Sequence, residues 1–389
     1  MGIGQQMGSL LNPDSSTPFT VLATGKKHQT FADAVAAAEP GGTIEIAGDG
    51  PFNVHGMALD KSLVVRAAPG YEPAFRYEIP KGKDGVPIDP RDKPQYHQLF
   101  AVKPAPKPEA KPEGLRFEGV RFQVDAPLGY GMPLACFRGQ GQMLQFLNCS
   151  MTTTAQEPAI GIDLAEPERV FFRNCQVAGF SPCLKLRGTA AGTPRGGRVV
   201  ARDCLFFAPA LLEARGDGKL VALFGESTVY VAKGFALAEH AGAFSCTAEH
   251  MVFKCDELFA AAGAGDRAWA GQKNIFEVGK WFGKGPAIRE FDEWQKHWEG
   301  TDGNSASAVA PFFITQALAG FRHDMNGKDW AVNQAKAKRT LKRMNVEDRV
   351  GPSDFYLGPG DGFLQFREVG DYENWVKWEL PSKRVKTVE

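Results

Sequence analysis

Short alternations of apolar and polar residues recur along the middle of the chain. FEGVRF, FLNCSM, FRNCQV and ARDCLF place Val120, Cys149, Cys175 and Cys204 in one column. Ser227 in FGESTVY and His250 in TAEHMVF continue it, with steps of 29, 26, 29, 23 and 23 residues. A second column lies between these phrases, in PLACFRG from Pro133, AIGIDLA from Ala159, CLKLRG from Cys183, ALLEARG from Ala210 and GFALAEH from Gly234. Alternation with a period of two predicts strands, because successive strand side chains point to opposite faces. Strands recurring every twenty-odd residues predict a solenoid. The LxxLxLxxN spacing of leucine-rich repeats is absent. The expected fold is therefore all-β, a right-handed parallel β-helix whose coils stack at ~4.8 Å.

This architecture gives the Asn-Cys phrases a role. Cys149, Cys175 and Cys204 are expected to point inward as a stack of small apolar side chains. Asn148, Asn174 and Asp203 are expected at a turn, where short polar side chains bond the neighbouring backbone. His250 is placed in the cysteine column. All seven cysteines lie between Cys136 and Cys255, with no CxxC pair and no histidine cluster, so a zinc site is not expected.

The ends of a β-helix need covers, because open strand edges invite aggregation. TFADAVAAAEPGG reads as a short N-terminal capping helix, with Thr30 as N-cap, Asp33 completing a capping box and Phe31, Ala34, Val35 and Ala38 on one face. Residues 1–17 read as a flexible leader and 18–276 as the β-helix. A Pro/Lys-rich excursion interrupts it at 78–114, with HQLFAV as its strand. The repeat fades after about residue 274, and 277–389 read as a helical C-terminal cap region. Ile288, Phe291, Trp294 and Trp298 share one helical face there, residues 329–343 form a second helix, and DFYLGPGDGF and DYENWVKWEL close the chain.

Composition narrows the function classes. The chain has 389 residues and a formal net charge of zero, so bulk charge favours neither nucleic acid nor an anionic membrane. No apolar run is long enough to span a bilayer, and the start shows no signal peptide. Buried unpaired thiols suit a reducing compartment, so the default location is cytoplasmic.

FADAVAAAEPGGTIEIAGDGPFNVHGMALDKSLVVRAAPGYEPAF resembles the opening of the β-helix segments attached to planctomycete-type bacterial serine/threonine kinases and of related pectin-lyase-like repeat proteins. FDEWQKHWEGTDGNSASAVAPFF resembles their closing cap. The resemblance spans about residues 18–375 and implies the fold and an accessory role. The kinase signatures themselves, a glycine-rich phosphate loop with its Lys, HRD and DFG, are missing. So are the NTD, DD, GHG and RIK set of polygalacturonases and the RxPxxR pattern of pectate lyases.

One charged constellation remains. With Phe137, Leu164, Leu186, Ala214 and Leu237 aligned inward, Asp163, Lys185 and Glu213 face outward on successive coils. Arg138, Arg187 and Arg215 follow two residues later, each before a glycine. One reading is a cross-strand ladder of opposite charges. Another is non-catalytic binding of an anionic glycan by Arg138, Arg187 and Arg215. A third is a calcium-assisted polysaccharide lyase: Asp163 and Glu213 hold the ion, and Lys185, Arg187 or Arg215 takes the proton beside a uronate carboxylate. The expected function is a non-catalytic ligand-binding, interaction or scaffold module without cofactor, with an anionic polysaccharide or a protein as partner. The lyase with calcium is the alternative.

Overall fold

The computed structural model describes residues 16–89, 93, 96–103, 114–124, 133–141, 143–153, 158–188, 197–261, 265–299, 302 and 305–307. They form a parallel β-solenoid of about 8 turns. Strands Gly42–Ile46, Leu63–Ala67, Leu115–Glu118, Met143–Leu147, Arg169–Arg173, Gly197–Arg202, Leu220–Gly225, Phe244–Glu249 and Arg267–Gln272 stack in parallel as the first sheet. An antiparallel pair, Phe19–Val21 and Lys26–His28, closes its N-terminal edge. Lys26 and Lys27 are exposed on that edge, where charge discourages further strand pairing.

The second sheet supplies two faces. One limb contains Ser150–Thr152 and Gln176–Ala178, and the other contains Ala135–Gln140, Ile160–Ala165 and Leu184–Arg187. In later coils a single strand runs through both limbs, as in Leu205–Gly216 and Thr228–His240. The enclosed core is apolar and aromatic. Phe146 packs against Phe117, Phe137 and Phe172 at ring-centroid distances of 5.7, 5.1 and 5.3 Å.

The corner between the sheets explains the Asn-Cys phrases. Asn148, Asn174 and Asp203 adopt φ of 55°, 50° and 53°, the left-handed conformation that short polar side chains tolerate best. The cysteines that follow are buried, and all seven cysteines are free thiols. Burial holds the Cys149 and Cys175 thiols well above their ordinary range, so they stay neutral. The expected place of His250 is corrected by one residue. Thr228 pairs with Val252, so Met251, fully buried, occupies the column beside Ser227. His250 takes the turn position instead, with φ 56°.

Helix α1 spans Phe31–Ala37, and the Thr30 hydroxyl accepts from the Asp33 N–H at 3.1 Å. Phe31 reaches Phe75 at 4.7 Å. Helix α2 spans Phe291–His297 and buries Trp294, which stacks on Trp281 at 4.6 Å. The solenoid does not fade at 274: Ile275–Phe282 pairs with Val252–Ala261. Within the 78–114 interval, Gln98–Val102 is a solenoid strand paired with Met57–Leu59 and Ala135–Gln140. The expected leader up to residue 15, the helix at 329–343 and the two closing phrases lie outside the described residues. Among the described residues, no helix is long and apolar enough to cross a membrane.

Candidate functional site

Alternation along the second limb sends Asp163, Lys185 and Glu213 outward between core residues. Pairing places them in one row, Asp163 beside Lys185 and Lys185 beside Glu213. Arg187 and Arg215 form the adjoining row. Arg138 departs from the expected alignment. Phe137 pairs with Ile162, so Arg138 sits beside Asp163 rather than in the row of Arg187. Gly139 is required next to it, because a Cβ there would drive into the Val102 carbonyl.

The six residues fall into three ion-pair groups, one of which draws in a seventh residue, Glu239. Arg138 Nε lies 3.0 Å from Asp163 Oδ2, and an Arg187 terminal nitrogen lies 2.9 Å from Oδ1. The second contact is a close ion pair that lacks hydrogen-bond alignment. Asp163 is only 6% exposed beneath the two guanidiniums, although it faces outward. Lys185 Nζ is 3.4 Å from Glu213 Oε2. A bulge after Glu213 brings Glu239 beside Arg215, at 2.9 Å. Glu239 was not legible from spacing, because the bulge changes the register. The side chains of Arg187 and Arg215 remain 44% and 42% exposed and keep donors toward solvent.

The donor set does not fit calcium. Lys185 stands in the register between Asp163 and Glu213, which are two strand spacings apart, ~9.6 Å. Each carboxylate already faces a cation. Among the described residues no group of three or more His, Cys, Asp or Glu is arranged to hold a metal ion. Beside the strip, a shallow, solvent-open recess is lined by Leu186, Gly188, Arg215, Gly218, Lys219 and His240. Burial lowers the His240 pKa, which leaves its ring neutral near pH 7.

A second charged cluster occupies the sheet corner. Arg202 grips Glu226 with two bonds, of 2.9 and 2.6 Å. Burial raises the Glu226 pKa, but hydrogen bonding and charge from Arg202 outweigh it, and the net direction is down. Asp203, beside it, is pushed up to about 6 by burial and then by Glu226. A raised carboxyl pKa favours the fold while the group is protonated. That contribution is full below the unfolded value of ~3.9 and is lost as pH rises through about 6. The displacement corresponds to at most about 3 kcal/mol, and sharing between two carboxyls reduces it. Asp203→Asn, which suits the left-handed turn, is expected to stabilise the protein by about 1–2 kcal/mol at pH 7 and by nothing near pH 4. Urea unfolding of both forms across this range checks it, and a pH-independent difference would refute the assignment.

No protein-family model matches this chain, and no curated protein matches it.

Proposed function

We propose that this solenoid is a non-catalytic binding module whose Arg138–Arg187–Arg215 strip recognises an acidic polysaccharide. The observation that carries the reading is the state of the strip's charges: each carboxylate is held by a cation, while Arg187 and Arg215 stay half exposed. Guanidiniums with spare donors match planar carboxylates. A lyase would need a released base, and Lys185 is engaged by Glu213. The reading takes the winding as right-handed and α1 and α2 as covers over the two ends. It also takes the resemblance to planctomycete kinase-associated segments as pointing to an accessory role.

Thermal-shift and binding assays on the full chain with polygalacturonate, a neutral glucan and calcium-free controls test this reading. Polygalacturonate is expected to raise Tm in a salt-sensitive way and the glucan to leave it unchanged. Arg187→Ala with Arg215→Ala is expected to weaken binding at least about tenfold, about 1.4 kcal/mol. Release of an unsaturated uronate product, abolished by Arg187→Ala, would establish the lyase instead. Absence of any acidic-glycan shift would remove the ligand class.

A further inference from the structure

A single bulge shapes the end of the charged strip. Strands Leu205–Gly216 and Thr228–His240 keep a regular register as far as Glu213 beside Ala236, and then one residue slips. Regular pairing would have put Ala238 beside Arg215. The bulge puts Glu239 there instead and brings His240 beside Gly216. Bulges characteristically re-aim side chains in this way. The result is an ion pair, with a terminal nitrogen of Arg215 2.9 Å from Glu239 Oε2.

This pair differs from the others on the strip. The Asp163 side chain is only 9% exposed and is clamped between Arg138 and Arg187. Lys185 and Glu213 are 22% and 33% exposed. Arg215 and Glu239 are 42% and 61% exposed, so both halves of this pair stand in solvent. An ion pair of that exposure contributes little to stability, and its partners can be exchanged at small cost. Arg215 also lines the shallow recess, together with Lys219. Lys219 is exposed, and among the described residues it has no carboxylate within ion-pair range.

We propose that Arg215 and Lys219 form the subsite for a uronate carboxylate and that Glu239 is its built-in competitor. The inference rests on the acidic-polysaccharide reading of the strip and deepens it. In the free protein Glu239 fills the place of the ligand's carboxylate on Arg215. An incoming uronate must displace it, and a competitor on the same chain has the advantage of proximity. The ligand offsets that advantage with contacts that Glu239 does not make. One is the second cation, Lys219, beside the same recess. The other is the half-exposed guanidinium of Arg187, one strand away, for a further carboxylate of the polymer.

Titration calorimetry of the full chain with polygalacturonate at ~0.1 M salt tests this. Glu239→Gln is expected to tighten binding about three- to tenfold, and Lys219→Met to weaken it severalfold. Asp256→Asn is the control. It removes the same charge from an exposed position beside Ala232, seven residues back from Glu239 along the strand, ~23 Å. That distance exceeds the screening length of ~10 Å, so the control is expected to bind as the wild type does. All three positions are exposed, and the variants are expected to keep the wild-type Tm. An equal gain in Asp256→Asn and Glu239→Gln would assign the effect to net charge and overturn the competitor. Binding by the wild type with either Glu239→Gln or Lys219→Met unchanged would overturn the subsite and leave the strip reading standing. No binding by the wild type or by Glu239→Gln would remove the strip reading itself, and the subsite with it.

Discussion

Replacing Asp302 with alanine is expected to destabilise the C-terminal end of the solenoid by about 3–5 kcal/mol. Asp302 is fully buried and accepts from the indole N–H of Trp269 at 2.7 Å and of Trp294 at 2.9 Å. It also takes the Asn274 amide at 2.9 Å and the Ser305 hydroxyl at 3.3 Å. Truncation strands two indole donors, each costing ~1–3 kcal/mol. It also places alanine at φ 62°, a left-handed conformation that disfavours a Cβ by ~1–2 kcal/mol. One effect opposes these. Burial raises the Asp302 pKa despite the four bonds, so removing the charge relieves some desolvation. The stranded donors win because they remain buried whatever the charge. Asp302→Asn keeps one oxygen for both indoles but turns an amide toward Asn274, and is expected to cost about 1 kcal/mol. Gly271 makes room for this carboxylate, since a Cβ there would overlap Oδ1. Tryptophan fluorescence against urea reads the loss, and a midpoint for Asp302→Ala equal to that of Asp302→Asn would refute the account.

Phe146→Ala is expected to cost about 3–5 kcal/mol and to split the unfolding transition. The ring fills the middle of the core between Phe117, Phe137 and Phe172, and the coils on either side cannot close the hole without breaking their strand pairing. In a solenoid each coil touches only its neighbours, so a weakened step uncouples the two halves. The tryptophans offer a way to see this, because all seven lie beyond residue 268. Circular dichroism reports every strand, whereas the fluorescence of the four described tryptophans, Trp269, Trp281, Trp294 and Trp298, reports the C-terminal coils. In Phe146→Ala the dichroism is expected to begin falling at lower urea than the fluorescence. Coincident curves in the variant would show that the halves remain coupled.

The solenoid was legible in the sequence wherever a turn demanded a particular residue. Asn148, Asn174 and Asp203 announce the left-handed corner, and the cysteine after each marks the inward position. The α1 start was legible through Thr30 and Asp33, and the buried face of α2 through Trp294. Register was harder to read. A slip of two residues preserves alternation, so PLACFRG could be aligned on Phe137 against Leu164 when the true partner is Ile162. That slip moved Arg138 out of its row. His250 and Met251 differ by one position because the last step is 24 residues, from Ser227 to Met251. The Asp302 node was hidden for another reason. It joins Trp269, Asn274 and Trp294 across coils, from a phrase, TDGNS, that reads as an ordinary turn.

The merging of the two limbs in the later coils sets where this scaffold tolerates foreign sequence. In the early coils the limbs are separate strands, Ser150–Thr152 and then Ile160–Ala165, so added residues only lengthen a connection, at a cost that grows slowly with length. Within Leu205–Gly216 or Thr228–His240 the same insertion would break a ladder bonded to coils above and below. Peptides grafted between Thr152 and Ile160 should be displayed without loss of the fold. Natural drift in loop length should likewise gather on the N-terminal half of the rod.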